Sequence, residues 1–372
     1  MEQKRETTSR DESKSQTAVL YGFMRPNGEA DLGELGLLAD SAGVLVLEEI
    51  AQRNAKPHPR HFISPGSVRE LKEVVELIKP DMVIFDCELK GSQRNNLEND
   101  IEVQVVDRTE LILDIFASRA KTKEGKLQVE LALLLYQLPR LMGMGKRLSA
   151  LGGGIGTRGP GETKLELDRR RIHQRIARLK REIKEIEQHR SVQRKSRIKS
   201  NILKVALVGY TNAGKSTLLN TITGSDAYAD NRLFATLDPL TRRSYLPLSE
   251  REVLFTDTVG FIKRIPTQLI AAFKATLEEI KFANLLLLVV DATDEDFREK
   301  LVVVNDTLDE IGAGEIPRLT VFNKIDIADE CPAPKPGEVT ISAQFGYGID
   351  ELMEQVDRIT SDQPLPYEKE AK

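Results

Sequence analysis

The segment "GYTNAGKST", Gly209 to Thr217, follows an apolar run and opens a helical pattern. Its spacing, GxxxxGK[ST], is that of a phosphate cradle. Gly209 and Gly214 let the backbone N–H groups of Tyr210, Thr211, Asn212 and Ala213 turn inward around an anion. Lys215 is placed to reach β- and γ-phosphates and Ser216 to ligate Mg2+ directly. Thr217 continues into a helix whose positive end faces the ligand.

Three later segments select the base. In "NKID", Asp326 can accept from guanine N1–H and N2–H2, a pairing that adenine lacks, while Asn323, Lys324 and Ile325 brace the loop. In "SAQ", the backbone of Ser342, Ala343 and Gln344 is placed to offer an N–H to guanine O6. "DTVG" ends another strand pattern: Asp257 would hold Mg2+ through water, Thr258 and Val259 follow, and the Gly260 N–H would sense the γ-phosphate. Between them lies "FATLD", Phe234, Ala235, Thr236, Leu237 and Asp238. Thr236 is the candidate switch threonine, ligating Mg2+ only while the γ-phosphate is present; its position also fits an ordinary loop threonine. The set implies a GTP and GDP site, with Lys215, Thr236 and Gly260 as the catalytic candidates.

Phe261 stands where Ras-type enzymes carry a glutamine that orients water. A phenyl ring cannot do this, so slow intrinsic hydrolysis is expected, with the missing group supplied from elsewhere. Asn212 resembles the asparagine of potassium-stimulated G domains, which would make K+ a further cofactor. It equally suits a tight loop.

The elements that must position these residues show in the patterning. Strand-like runs at 201–210, 252–260, 285–293, 318–326 and 338–343, separated by helical segments, predict an α/β nucleotide domain over 201–360. An earlier alternation, with strands at 18–24, 43–50, 81–87 and 101–106 and a helix at 67–80, predicts a small parallel α/β domain over 18–108. Residues 1–17 and 361–372 read as tails, the first of them disordered. Between the domains, Leu127, Leu131, Leu134, Leu138 and Leu141, then Leu165, Ile172, Ile176, Leu179, Ile183 and Ile186, repeat at steps of three and four or seven. They predict an antiparallel helical hairpin over 109–200. Its tip is a loop at 142–164 containing "GGGIGTRGPGETK".

Bulk composition narrows the class. The chain has 372 residues, 40% hydrophobic and 30% charged, an ordinary soluble balance large enough for two or three domains. Its longest strongly apolar run, "LLLLVV", is far too short to span a membrane. Cys87 and Cys331 are isolated, which suits a reducing cytosol. Residues 163–200 hold fourteen Lys/Arg and five Asp/Glu, a local +9, so the rest of the chain carries −13 against a total of −4. One basic rod on an acidic protein is the electrostatic footprint of nucleic-acid binding. Arg169, Arg170, Arg171, Arg175 and Arg178 are the candidate phosphate contacts on the rod, with Lys180 and Arg181 beside them. Arg158 and Lys164 are candidates at the tip. The competing reading is a solvated coiled-coil face with internal ion pairs, such as Glu182 with Lys184.

The chain resembles the HflX family of translational GTPases. The likeness rests on "DRTELILDIFASRAKTKEGKLQVELALL" (107–134), "GGIGTRGPGETKLELDRR" (153–170), "GYTNAGKST", "FATLDP", "DTVGFI" and "AAFKATLEE" (271–279). It covers about 18 to 360, nearly the whole chain. The resemblance implies an N-terminal α/β domain, a helical hairpin and a G domain. It also implies a monomer that binds the 50S subunit and its 23S rRNA and dissociates stalled or stressed 70S ribosomes. The hairpin loop would approach the peptidyl-transferase region. A cytoplasmic location is implied, with association with ribosomes or the membrane periphery. Many members carry a further C-terminal domain, whereas this chain ends soon after "GYGIDELMEQV" (346–356). Some bind ATP through the N-terminal domain; here "FISPGSVREL" (62–71) shows no second phosphate loop, and the sequence carries no claim to ATPase activity. Two rivals share the motifs: an assembly GTPase acting on immature large-subunit rRNA, and a protein switch whose basic hairpin meets an acidic partner or lipid.

Overall fold

The computed structural model describes residues 15–24, 32–53, 57–150, 160–198, 202–224, 233–234, 239–263, 280–329 and 333–361. The chain divides into two compact units, Met1–Leu111 and Ile112–Lys372.

In the first unit, β1 (Thr17–Phe23), β2 (Leu45–Gln52), β3 (Met82–Phe85) and β4 (Gln104–Asp107) form a parallel sheet in the order β2-β1-β3-β4. Ala18, Val19 and Leu20 of the central β1 are fully buried, which is why that strand is apolar at successive positions rather than alternating. Three helices connect the strands: α1 (Gly33–Ser41), α2 (Pro65–Ile78) and α3 (Gly91–Ile101). Ser64 caps α2 by accepting from the Ser67 N–H at 3.1 Å, and Pro65 takes the first helical position. Val68, Leu71 and Val75, one face of α2, pack into a core with Val19, Tyr21, Val83 and Phe85. α1 and α3 are not visible in the sequence periodicity. α3, "GSQRNNLENDI", is mostly polar and buries only Gln93, Leu97 and Ile101.

Arg108, at the start of α4 (Arg108–Arg119), is buried and pairs with Glu34 and, at 2.5 Å, with Asp86. Burial alone would lower the guanidinium pKa, but the two carboxylates hold it above its ordinary value. Taking one partner from such a buried cluster strands the others.

The second unit carries the two long helices, α5 (Lys123–Ala150) and α6 (Pro160–Ile198). Leu127 and Leu131 pack with Ile176, Leu179 and Ile183, flanked by Leu134, Leu138, Ile172 and Ile186. Glu130 of α5 receives both Nε and Nη2 of Arg175 at 2.6 Å each. The helices reach well into the stretch read from sequence as a loop over 142–164. Met, Lys, Arg and Leu between the glycines favour continuing α5, and Pro160 is pre-shaped for a first helical turn. Residues 151–159 lie outside the described residues, as do the two predicted tails beyond residues 15–16 and 361.

The nucleotide domain is a six-stranded sheet: β5 (Leu203–Gly209), β6 (Leu240–Tyr245), β7 (Glu252–Asp257), β8 (Leu285–Asp291), β9 (Arg318–Asn323) and β10 (Glu338–Thr340), in the order β10-β9-β8-β5-β7-β6. Only β6 runs antiparallel, along β7. As an edge strand it exposes Thr241, Arg243 and Tyr245 and half-buries Leu240, Arg242 and Ser244 on its other face, so no apolar run marks it in the sequence. Leu203, Val205 and Leu207 of β5 face a core with Leu218 of α7 (Lys215–Thr223) and Leu352 of α9 (Ile349–Ser361). Ala206 and Val208 face another with Val304 and Leu308 of α8 (Phe297–Glu310). Burial on both faces fixes β5 at the centre and leaves its C-terminal end little freedom.

Arg108→Ala is expected to cost about 3–5 kcal/mol, because Glu34 and Asp86, both largely covered, would lose the guanidinium they share. Arg175→Ala, at a half-exposed pair screened by solvent, is expected to cost far less. Urea unfolding of both variants checks the contrast; equal losses would contradict it.

Candidate nucleotide-binding site

The parallel strands β5, β7, β8 and β9 end on one edge of the sheet, where open α/β folds bind ligands. That edge gathers the loop Gly209–Thr217, the segment Asp257–Gly260, Asn323–Asp326 and Ser342–Gln344.

Gly214 has φ +90° and caps α7. A Cβ there would lie 2.2 Å from the Asn323 Nδ2, so a side chain is excluded by space as well as by backbone. Asn212 also has positive φ, at +63°, a conformation asparagine tolerates better than most residues. Lys215 is buried, and its ammonium donates to the carbonyls of Gly209 at 3.1 Å and Tyr210 at 2.7 Å. Desolvation brings its pKa down to about 8, with Asp257 opposing the fall.

The Ser216 hydroxyl donates to Asp257 Oδ2 at 2.6 Å, and the Asp257 carboxylate is fully buried. Two adjacent hard-oxygen donors beside a phosphate loop fit Mg2+. When bound, that ion neutralises charge on the phosphates; Ser216 and Asp257 are the described residues that would hold it. Thr258 is anchored by donating its hydroxyl to Leu207 O at 2.7 Å, and Val259 is buried. Gly260 passes so close to the loop that a Cβ would stand 2.7 Å from Thr211 Cγ2 and 3.0 Å from Lys215 Nζ.

Beyond Gly260 the backbone stitches itself to the phosphate loop. Phe261 N–H donates to Gly209 O at 3.1 Å, and Thr211 N–H donates to Phe261 O at 2.8 Å. The Phe261 ring is 1% exposed and packs with Val208, Tyr210, Ile280 and Leu288. The side chain at the glutamine position is therefore a core residue with no polar group to offer an attacking water.

Asn323 ties three loops together. Its Nδ2 donates to Ala213 O at 2.9 Å, and its Oδ1 accepts from Ala343 N–H at 2.9 Å. Lys324 pairs with Asp291 at 2.6 Å. Ile325 N–H bonds Ile341 O at 3.3 Å, while Asp326 and Gln344 are exposed at the rim. Ser342 is buried and its hydroxyl accepts from Phe345 N–H at 3.3 Å. Thr221 of α7 donates to Ala343 O at 2.6 Å, a further tie between helix and loop. Thr221 and Asp291 were missed from sequence. Asp291 directly follows the apolar run 285–290, but the strand pairing that brings it beside Asn323 is tertiary and leaves no mark in the local sequence.

Phe234 has φ +57° and is buried edge-on against Phe116 of α4, centroids 4.5 Å apart. Its ring is thus spent on packing. Ala235, Thr236, Leu237 and Asp238 lie outside the described residues, as do Arg158, the Lys164 side chain and 271–279. On α6, Arg169 and Arg170 are exposed. Arg171 is 3.5 Å from Asp168, Arg178 pairs with Glu182 at 2.8 Å, and Arg175 is held by Glu130. Glu182 thus takes Arg178, one helical turn away, rather than Lys184, which lies two residues along and on another side of the helix. Among the described residues no group of three or more His, Cys, Asp or Glu is arranged to hold a metal, and no helix is long and apolar enough to cross a membrane.

A doubly covered, mostly parallel sheet with these loops defines a P-loop GTPase domain. Family models for a GTP-binding GTPase N-terminal region, its middle region and a 50S ribosome-binding GTPase match residues 29–117, 119–197 and 204–324. The chain is 52% identical to GTPase HflX of Caldanaerobacter subterraneus subsp. tengcongensis, over 92% of this chain and 80% of that one. It is 47% identical to GTPase HflX of Escherichia coli K12, over 89% and 79%. A structure of SsGBP with GDP aligns with TM-score 0.50 and 26% identity, covering 93% of this chain and 98% of that one. A GTP-binding protein from the archaeon Sulfolobus solfataricus, also with GDP, aligns at 0.48 and 25%, covering 93% and 99%. The chain belongs to the HflX family of GTPases, and its reaction is hydrolysis of GTP to GDP and phosphate.

A phosphate-bound lysine is charged, so above pH 8 nucleotide binding must return a proton to Lys215. GDP affinity is expected to be flat below pH 8. Above it, affinity should fall by up to about tenfold per unit until the ordinary lysine range near ~10.4 is reached. Titration calorimetry at pH 8.5 in buffers of different ionisation enthalpy reads the proton uptake. Affinity that does not change from pH 7 to 9.5 would rule out the linkage.

Proposed function

We propose that this GTPase binds the 50S ribosomal subunit through the basic face of α6. In its GTP state it dissociates stalled or stressed 70S ribosomes, and hydrolysis drives its release. The observation that carries this reading is the exposed run Arg169, Arg170, Arg171, Arg178, Lys180 and Arg181 on one rod of an otherwise acidic chain. Lysine and arginine stripes of this kind contact phosphates and give salt-dependent affinity. The description of the matched family model, 50S ribosome-binding GTPase, points to the same partner. Arg158 and Lys164, in the segment read from the sequence as the hairpin tip, are assigned to close approach to RNA.

Intrinsic hydrolysis is slow on this reading, since Phe261 is locked in the core and the water must be oriented by a group that the ribosome completes. K+ at Asn212 is part of the same proposal. It is tested by hydrolysis rates in KCl against NaCl at equal ionic strength, where equal rates would remove it.

Sedimentation of 70S ribosomes through sucrose with this protein and a non-hydrolysable GTP analogue is expected to yield separated subunits, with the protein on the 50S peak. Selective binding to immature large-subunit particles, with 70S intact, would favour an assembly role instead. Replacing Arg169 and Arg170 together by glutamine is expected to weaken ribosome binding at 150 mM salt by about tenfold or more and to leave GDP affinity unchanged.

A further inference from the structure

We propose that Asp291 is a positioning residue of the guanine site, acting through Lys324 to set how tightly GTP and GDP are retained. The inference rests on the GTPase assignment and on Lys324 bordering the nucleotide.

Asp291 is the last residue of β8 and stands directly across the ladder from Asn323, the last residue of β9. Each of its oxygens has a separate task. Oδ1 accepts from the Thr293 N–H at 3.0 Å and the Thr293 hydroxyl at 2.7 Å, which fixes the carboxylate plane. Oδ2 accepts from Lys324 Nζ at 2.6 Å. The Ala292 N–H to Asn323 O bond, 2.8 Å, keeps the two strand ends together. Both side chains of the pair are about four-fifths covered, at 19% and 24% exposure, so solvent screens the attraction only in part.

Lys324 sits between two residues with defined duties. Asn323 holds the phosphate loop and the 342–348 loop, and Asp326 presents an exposed carboxylate suited to the guanine edge. A lysine carries a long flexible stem, and ordering it when the base arrives costs conformational entropy. Asp291 removes that cost in advance by fixing the ammonium before the nucleotide binds. This preorganisation acts on binding. Asp291 pairs with a residue of the base-recognition motif, while Lys215, Ser216 and Asp257 serve the phosphate end.

The test compares Asp291→Asn, Asp291→Glu, Lys324→Met and the double variant Asp291→Asn/Lys324→Met, using fluorescent GDP release and steady-state GTP hydrolysis. Asp291→Asn is expected to raise the GDP Kd and the KM for GTP about tenfold, with kcat within twofold; Asp291→Glu should restore most of the affinity. The double variant should be no weaker than Lys324→Met alone, since the carboxylate acts only through the lysine. Three results would overturn the proposal: Kd within twofold of the parent in Asp291→Asn, additive losses in the double variant, or no loss in Lys324→Met. The last would show that Lys324 does not serve the base, leaving the GTPase assignment itself intact. Thr293→Val, which deletes only the hydroxyl that orients Asp291, gives a smaller change of the same sign and serves if Asp291→Asn does not fold.

Discussion

One buried amide holds the nucleotide site together. Asn323 donates to the phosphate loop at Ala213 and accepts from the 342–348 loop at Ala343, so both ends of a single side chain are satisfied by main chain from different parts of the sequence. Buried polar groups of this kind are costly when half satisfied and rigid when fully satisfied. Gly214 must lack a side chain because Asn323 occupies that space, and Ala213 must keep its carbonyl turned toward it. The glycine spacing of the phosphate loop thus serves the amide as well as the anion.

Much of this was legible in the sequence, for identifiable reasons. Strands β1 and β8 are buried on both faces and appear as unbroken apolar runs; β5 is broken only by Lys204, and β9 alternates before its buried end at Val321–Asn323. The loops at their ends follow spacing rules set by phosphate and guanine chemistry. The hairpin seam was legible because Leu127, Leu131, Ile176, Leu179 and Ile183 recur at helical steps and do bury one another. What escaped detection lacked such a pattern. α3 is mostly polar, and β6 is an outer strand with polar residues on its open side. The ends of α5 and α6 run into glycine-rich sequence that reads as loop. The pairings of Arg175 with Glu130 and Lys324 with Asp291 join residues 45 and 33 positions apart, which no local pattern reveals.

The positive charge of α6 does two jobs, and the structure separates them. Arg175 faces α5 and clamps the hairpin through Glu130, while Arg178 is partnered along its own helix. Arg169 and Arg170 lie on the exposed side. A simple count of arginines therefore overstates the charge a partner can meet, because part of it is already neutralised within the helices.

The bridge between Tyr210 and Phe261 is made entirely of main-chain atoms. Alanine scanning leaves every N–H and carbonyl of that bridge in place and so would pass over it. The link from the phosphate loop to the chain beyond β7 is carried by the path of the backbone. Proteins with quite different side chains at these positions can share it, and a sequence comparison of the two segments would give no sign that they touch.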